Sequence, residues 1–201
     1  MKIYSLITIS LLFLLLTSCA VGPLVSQETA RTVGSGKHEF IVGSGQTGWM
    51  GKWNYGLGKN FDFGAQMESL SMGIKAKYAF LNQSEGWSMA LGLGYGTGVE
   101  SDHFYGDFHT SFKTGPVEPY MTVRYVQVHT DKEDIDDHKS GNIHFNIDSL
   151  KFQYGQFMIG TRFWLTRHWL FSVEGSTFFG ASDGLKISDT YFFNAALGYR
   201  F

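Results

Sequence analysis

Tyr191-Phe192-Phe193-Asn194-Ala195-Ala196-Leu197-Gly198-Tyr199-Arg200-Phe201 is rich in aromatic residues and contains neither proline nor an acidic residue. Successive side chains of an extended chain point to opposite faces. Tyr191, Phe193, Ala195, Leu197, Tyr199 and Phe201 therefore share one face, and Phe192, Asn194, Ala196, Gly198 and Arg200 share the other. One side is apolar and ends on an aromatic ring. The other is largely small or polar. This is period-2 alternation, the signature of a strand whose two faces meet different surroundings.

Working outward, the same period recurs along the chain. Trp49, Gly51, Trp53, Tyr55 and Leu57 oppose Met50, Lys52, Asn54 and Gly56, and Phe61, Phe63, Ala65 and Met67 oppose Asp62, Gly64, Gln66 and Glu68. Met72, Ile74, Ala76, Tyr78 and Phe80 oppose Gly73, Lys75, Lys77 and Ala79. Trp87 to Tyr95 alternates large apolar residues with Ser, Ala and Gly, and Phe104, Phe108 and Phe112 oppose Tyr105, Asp107, His109 and Ser111. Further strands are expected near 117–129, 150–165 and 168–179, and an opening strand near 37–43. The total is ten strands, with eight as the alternative count. Long connections, Thr130 to Ser149 and Gly180 to Ser188, alternate with short turns at Gly58-Lys59-Asn60, Asn82 to Gly86, Thr114-Gly115-Pro116 and Thr166-Arg167-His168. On this register Tyr78, Phe80, Trp87, Phe112, Trp169, Tyr199 and Phe201 form one aromatic belt. Trp49, Tyr95, Phe104, Tyr125, Phe179 and Tyr191 form a second. Amphipathic rings favour the headgroup level of a bilayer, so two belts predict a spanning barrel.

The other end of the chain has a different character. Lys2 precedes the apolar run Ile3 to Leu16, which is short for a spanning helix and has the form of an export signal. Leu16-Thr17-Ser18-Cys19 resembles the bacterial lipobox. The resemblance implies that residues 1–18 are removed and that Cys19 becomes a diacylated first residue. It also implies delivery by the lipoprotein-sorting machinery, with Ala20 in place of Asp favouring the outer membrane. Cys19 is the sole cysteine, so no disulfide forms within the chain. Residues 19–36 are small and polar by composition and are expected to form the lipidated N-terminus and a flexible tether, with the barrel occupying 37–201.

Composition bounds the function. A chain of 201 residues with net charge −2 fits one domain and carries no nucleic-acid footprint. Aromatic residues make up 16%, and the 25 glycines far outnumber the 3 prolines. Two architectures share these averages: an antiparallel up-and-down transmembrane β-barrel, or a soluble, lipid-tethered β-barrel that buries its apolar face. The aromatic terminus, the belts and the small residues on the polar face favour the first. From Lys37 to Phe201 the chain resembles small bacterial outer-membrane β-barrels of the OmpA/OmpX-like group. Leu197, Gly198, Tyr199 and Phe201 resemble the signal such proteins present to the barrel-assembly machinery. Outer-membrane lipid and lipopolysaccharide are the other partners this implies.

The polar face carries the candidate chemistry. Lys37, Lys52, Lys75, Lys77, Lys113, Arg124, Arg162 and Arg200 point inward on this register, as do Glu39, Asp62, Glu68, Asp107 and Glu174. In a narrow barrel these long side chains are expected to pair across the lumen and plug it. The alternative is a narrow pore, anion-preferring because basic residues are in excess. His109-Thr110-Ser111 places a possible base and nucleophile on one face, with Asp107 as orienting acid. It faintly resembles the His-x-Ser of lipid A deacylases, although Phe112 stands where those enzymes have Asn. Asp131 to Lys139 is acidic enough to solvate a hard cation but lacks calcium-loop spacing, and His129, His138 and His144 form no metal-ligand pattern. The expectation is a membrane barrel lipoprotein with a structural or surface-interaction role and no metal or cofactor. A lipid A- or phospholipid-modifying enzyme is the weaker alternative, and the oligomeric state is left open.

Overall fold

The structure is a computed structural model and describes residues 22–98, 101–130, 151–180 and 191–201. Ten strands follow one another: β1 His38–Gly45, β2 Gly48–Gly56, β3 Phe61–Glu68, β4 Ser71–Leu81 and β5 Gly86–Gly98, then β6 Ser101–Lys113, β7 Val117–Thr130, β8 Lys151–Trp164, β9 Trp169–Phe179 and β10 Tyr191–Arg200. Each pairs antiparallel with its sequence neighbours, and β1 pairs with β10 to close a barrel. At that seam Phe40 stands opposite Tyr199 and Val42 opposite Leu197. Closure leaves no edge strand in the sheet. The ten-strand expectation holds, and the eight-strand alternative falls.

The barrel has two unlike ends. Turns at 57–60, 82–85, 114–116 and 165–168 gather at one, with the C-terminus; His38 and Phe201 exchange backbone hydrogen bonds of 2.9 and 3.0 Å there. This is the terminal end. At the opposite, loop end lie the tight turns β1–β2 and β3–β4, and there β7 and β9 end and β8 and β10 begin.

Burial follows the alternation in the sense opposite to a soluble barrel. The aromatic residues of both expected belts face outward, as do Ile74, Leu93, Ile159 and Leu197, each about half exposed. Lys52, Lys75, Lys77, Arg124 and Arg162 are buried on the inside.

Inward glycines make this narrow interior possible. On β5, Gly92, Gly94 and Gly96 stand opposite Asp107, Tyr105 and His103 of β6. A Cβ on Gly94 would lie 2.1 Å from the Tyr105 ring, so the ring lies flat only because that position has no side chain. Outward Gly106 has open space, its nearest neighbour being 3.8 Å away. Gly94→Val is expected to destabilise the barrel by about 1–3 kcal/mol through overpacking. Gly106→Val should change stability little. Urea unfolding followed by tryptophan fluorescence checks the contrast.

Candidate functional site

The interior is occupied by the chain itself. Residues 22–33, read from composition as part of a flexible tether, lie inside the barrel and are almost all buried. That expectation is corrected: a tether would leave its backbone to water, whereas this segment's backbone is bonded by the wall. Its sequence differs from that of a tether. Leu24-Val25-Ser26-Gln27-Glu28-Thr29-Ala30-Arg31-Thr32-Val33 contains no glycine and carries both apolar and charged side chains.

The segment descends in one direction. At the loop end Gly22 sits against Val126, Tyr154 and His103. Next, Arg124 donates to the Pro23 carbonyl at 2.8 Å, and Gln156 to that of Leu24 at 2.6 Å. Glu68 accepts from the backbone N–H of Leu24 and Val25 at 2.8 and 3.3 Å. Glu174 accepts from Ser26 and Gln27 at 2.8 and 2.7 Å. Lys52 donates to the Ser26 carbonyl, and Arg162 to that of Gln27 at 3.0 Å. Lys77 donates to the carbonyls of Thr29 and Arg31 at 3.1 and 2.8 Å. Near the terminal end Asp62 accepts from Val33 at 3.1 Å. The chain then reverses through Gly34 and Gly36, whose φ of 102° and 72° suit glycine, and enters β1.

Two charged side chains of the segment complete the network. Glu28 meets Lys52 at 3.0 Å, touches Lys75, and lies 3.9 Å from Lys77. Arg31 pairs with Glu118 at 2.6 Å and donates to the carbonyls of Gln83 and Gly86 at 2.7 and 2.6 Å. The middle is pinned at Gln27, the non-glycine residue with positive φ (50°) among those described. Its side-chain oxygen accepts from Ser172 at 2.5 Å. Such a conformation persists where its surroundings over-determine it.

The expected network residues Lys52, Asp62, Glu68, Lys75, Lys77, Asp107, Arg124, Arg162 and Glu174 all face this interior and are buried. Five of the nine pair with another wall residue. Arg124 grips Asp107 through two bonds of 2.7 and 2.9 Å and stacks over Tyr105, and Lys77 meets Asp62 at 3.2 Å. Glu39 holds Arg162 at 3.2 Å and Arg200 at 2.5 Å. Most of the others act on the inserted segment. The expected basic excess also changes. Lys37 is exposed before β1, and Lys113 pairs at the rim with Glu85 at 3.4 Å. Glu118, missing from the expected set, is buried. The period-2 face it shares with Tyr120, Thr122 and Arg124 could have identified it. Lys52, Lys75, Lys77, Arg124, Arg162 and Arg200 are thus matched by Glu39, Asp62, Glu68, Asp107, Glu118 and Glu174.

The structure does not join His109 to Ser111. His109 Nδ1 lies 2.9 Å from the Thr122 hydroxyl, and its Nε2 lies 3.6 Å from Asp107. Ser111 donates to Glu118 at 3.1 Å and accepts from the Ala30 N–H at 3.3 Å. Both are buried beside the inserted segment. Among the described residues no group of His, Cys, Asp and Glu could hold a metal ion. Cys19, Asp131 to Lys139, His138 and His144 lie outside the described residues.

Comparison with protein-family models and with curated proteins gives no match. Among solved structures, the chain is similar to the N-terminal β-barrel domain of Pseudomonas aeruginosa OprF, with 9% identity and TM-score 0.38 over 84% of this chain and 99% of that one. It is similar to the KdgM porin in complex with disordered oligogalacturonate (10%, 0.39, 82% and 98%). A third is the Yersinia pestis outer-membrane protein Ail (11%, 0.39, 83% and 100%).

Breaking a buried ion pair by removing one partner typically costs about 3–5 kcal/mol. Glu28→Gln is expected to lower stability by about that amount, because three lysines lose their shared carboxylate. Lys75→Met should cost less in the Glu28→Gln background than alone. A double-mutant cycle in urea unfolding measures that coupling.

Proposed function

We propose that this chain is an outer-membrane β-barrel lipoprotein that spans the bilayer and is sealed by its own N-terminal segment. It serves as a rigid anchor presenting the loop-end connections for a structural or surface-interaction role. The observation that carries the reading is the pairing of an apolar outer wall with a charged interior occupied by residues 22–33. An outward band of Ile74, Leu93, Ile159, Phe193 and Leu197 is a stable surface in hydrocarbon and a poor one in water. A soluble, lipid-tethered barrel would turn these residues in. Short turns at the terminal end and long connections at the loop end fit periplasmic and external sides respectively.

The same observation weighs against the alternatives. An anion-preferring pore rested on a basic excess and an open path; the wall charges balance, and the chain fills the path. A hydrolase rested on His109 activating Ser111; Ser111 is bound to Glu118 and Ala30 instead. Outer-membrane lipid, lipopolysaccharide, and the sorting and barrel-assembly machinery remain the partners of this reading, with Leu197, Gly198, Tyr199 and Phe201 as the assembly signal and Cys19 as the acylated residue.

Purified protein in planar bilayers is expected to be electrically silent, and the form lacking residues 22–33 to conduct. A steady open channel in the wild type would overturn the sealed reading. Ile74→Arg, facing lipid near the midplane, should cost about 2–4 kcal/mol in vesicle refolding. Cys19→Ser should abolish metabolic labelling with palmitate.

A further inference from the structure

We infer that the chain's N-terminal side leaves the barrel through the loop end, so that the residues preceding Gly22 are displayed on the cell exterior. This rests on the outer-membrane reading, which makes the loop end external. It departs from the ordinary expectation for a barrel whose first strand starts at the periplasmic side and whose N-terminal extension stays there.

The direction of residues 22–33 carries the inference. Val33 is bonded to Asp62, Thr32 donates to the Lys59 carbonyl at 2.9 Å, and Gly36 donates to that of Gly56 at 2.8 Å. These contacts belong to the β2–β3 turn, at the terminal end. Gly22 lies at the other extreme, against Val126, Tyr154 and His103, where β6, β7 and β8 run into the loop-end connections. The Pro23 carbonyl is held there by Arg124. The path back is closed by side chains: Arg124, Asp107, Lys52, Glu28 and Arg162 lie below Gly22 and are buried and paired. A chain spans at most about 3.6 Å per residue. The three residues from Cys19 to Gly22 therefore reach no more than about 11 Å, too little to return through a membrane of about 30 Å. Whatever Cys19 carries is held on the outer side.

The test uses the scarcity of thiols, since Cys19 is the single cysteine. Val21→Cys is made in the full chain and in a form exported behind a non-lipoprotein signal, beginning at Ala20. Intact cells are treated with a membrane-impermeant maleimide. Gln46→Cys in the exposed β1–β2 turn reports the outside, and Lys59→Cys in the β2–β3 turn reports the periplasm. Position 21 should label on intact cells, as position 46 does, in both forms. Labelling only after permeabilisation, together with position 59, would overturn the inference. So would labelling only after denaturation, because an emerging chain is accessible. The lipid reading fails separately: mass spectrometry showing an unmodified Cys19 would remove the lipid and leave the exit intact.

Discussion

An extended backbone inside a protein must have its N–H and C=O groups bonded, and here the bonding groups are charged side chains. Residues 22–33 have no strand beside them. Glu68, Glu174 and Asp62 accept from their amides, while Arg124, Arg162, Lys52 and Lys77 donate to their carbonyls. A buried amide or charge without a partner costs several kcal/mol. Segment and wall relieve this cost for each other. That mutual need accounts for the density of ionised groups in so small a lumen, and for the near-equality of their signs.

The wall can supply those groups because its other face asks nothing polar of it. Every strand of the closed sheet is paired on both sides, and the outward side chains meet hydrocarbon on the reading proposed above. Each strand then divides its work by parity. On β4, Ile74 and Tyr78 face out while Lys75 and Lys77 face in. On β5, outward Leu91, Leu93 and Tyr95 alternate with glycines that clear space for Tyr105 and Asp107. The glycines matter as much as the charges: side chains at Gly94 and Gly96 would collide with the Tyr105 and His103 rings of β6 and displace them.

Parity is also why so much of the fold was legible. Once Tyr199 and Phe201 were placed outward, period 2 fixed the orientation of every residue on β10, and the other strands followed by the same rule. Lys52, Asp62, Glu68, Arg124 and Glu174 could be placed inside from the sequence for that reason. Their partners could not. Periodicity states which face a residue occupies and is silent on what lies across it. The segment 22–33 has no period of its own, since apolar and charged wall groups surround it together, Val25 packing with Ile41, Met50 and Ala196 and Ala30 with Ala79 and Ala90, and in sequence it reads as a linker. Glu28 and Arg31 were the available clue, as long charged residues next to Val25, Ala30 and Val33 make an odd tether. Ser111 shows the converse limit. It does share a face with His109, but Glu118 lies on β7 and Ala30 in the segment, and only the three-dimensional register reveals that these take its hydrogen bonds.

The inserted segment also constrains how the barrel assembles. It joins β1 through the tight reversal at Gly34 and Gly36, and β1 meets β10 only at the final seam. Threading after closure would drag Glu28 and Arg31 past Glu39, Asp62, Lys77 and the other wall charges, breaking their bonds in turn, with any group on Cys19 pulled through as well. Laying the segment against β2, β3 and β4 before the seam closes avoids this. Glu28 then finds Lys52 on β2 and Lys75 and Lys77 on β4, and Val33 finds Asp62 on β3 between them. Arg162 on β8 holds the Gln27 carbonyl and Glu174 on β9 the Ser26 amide, and the β1–β10 seam completes the wall around them. The segment thus draws its partners from β2, β3 and β4 together with β8 and β9, and a wall lacking either group would leave part of its backbone unbonded.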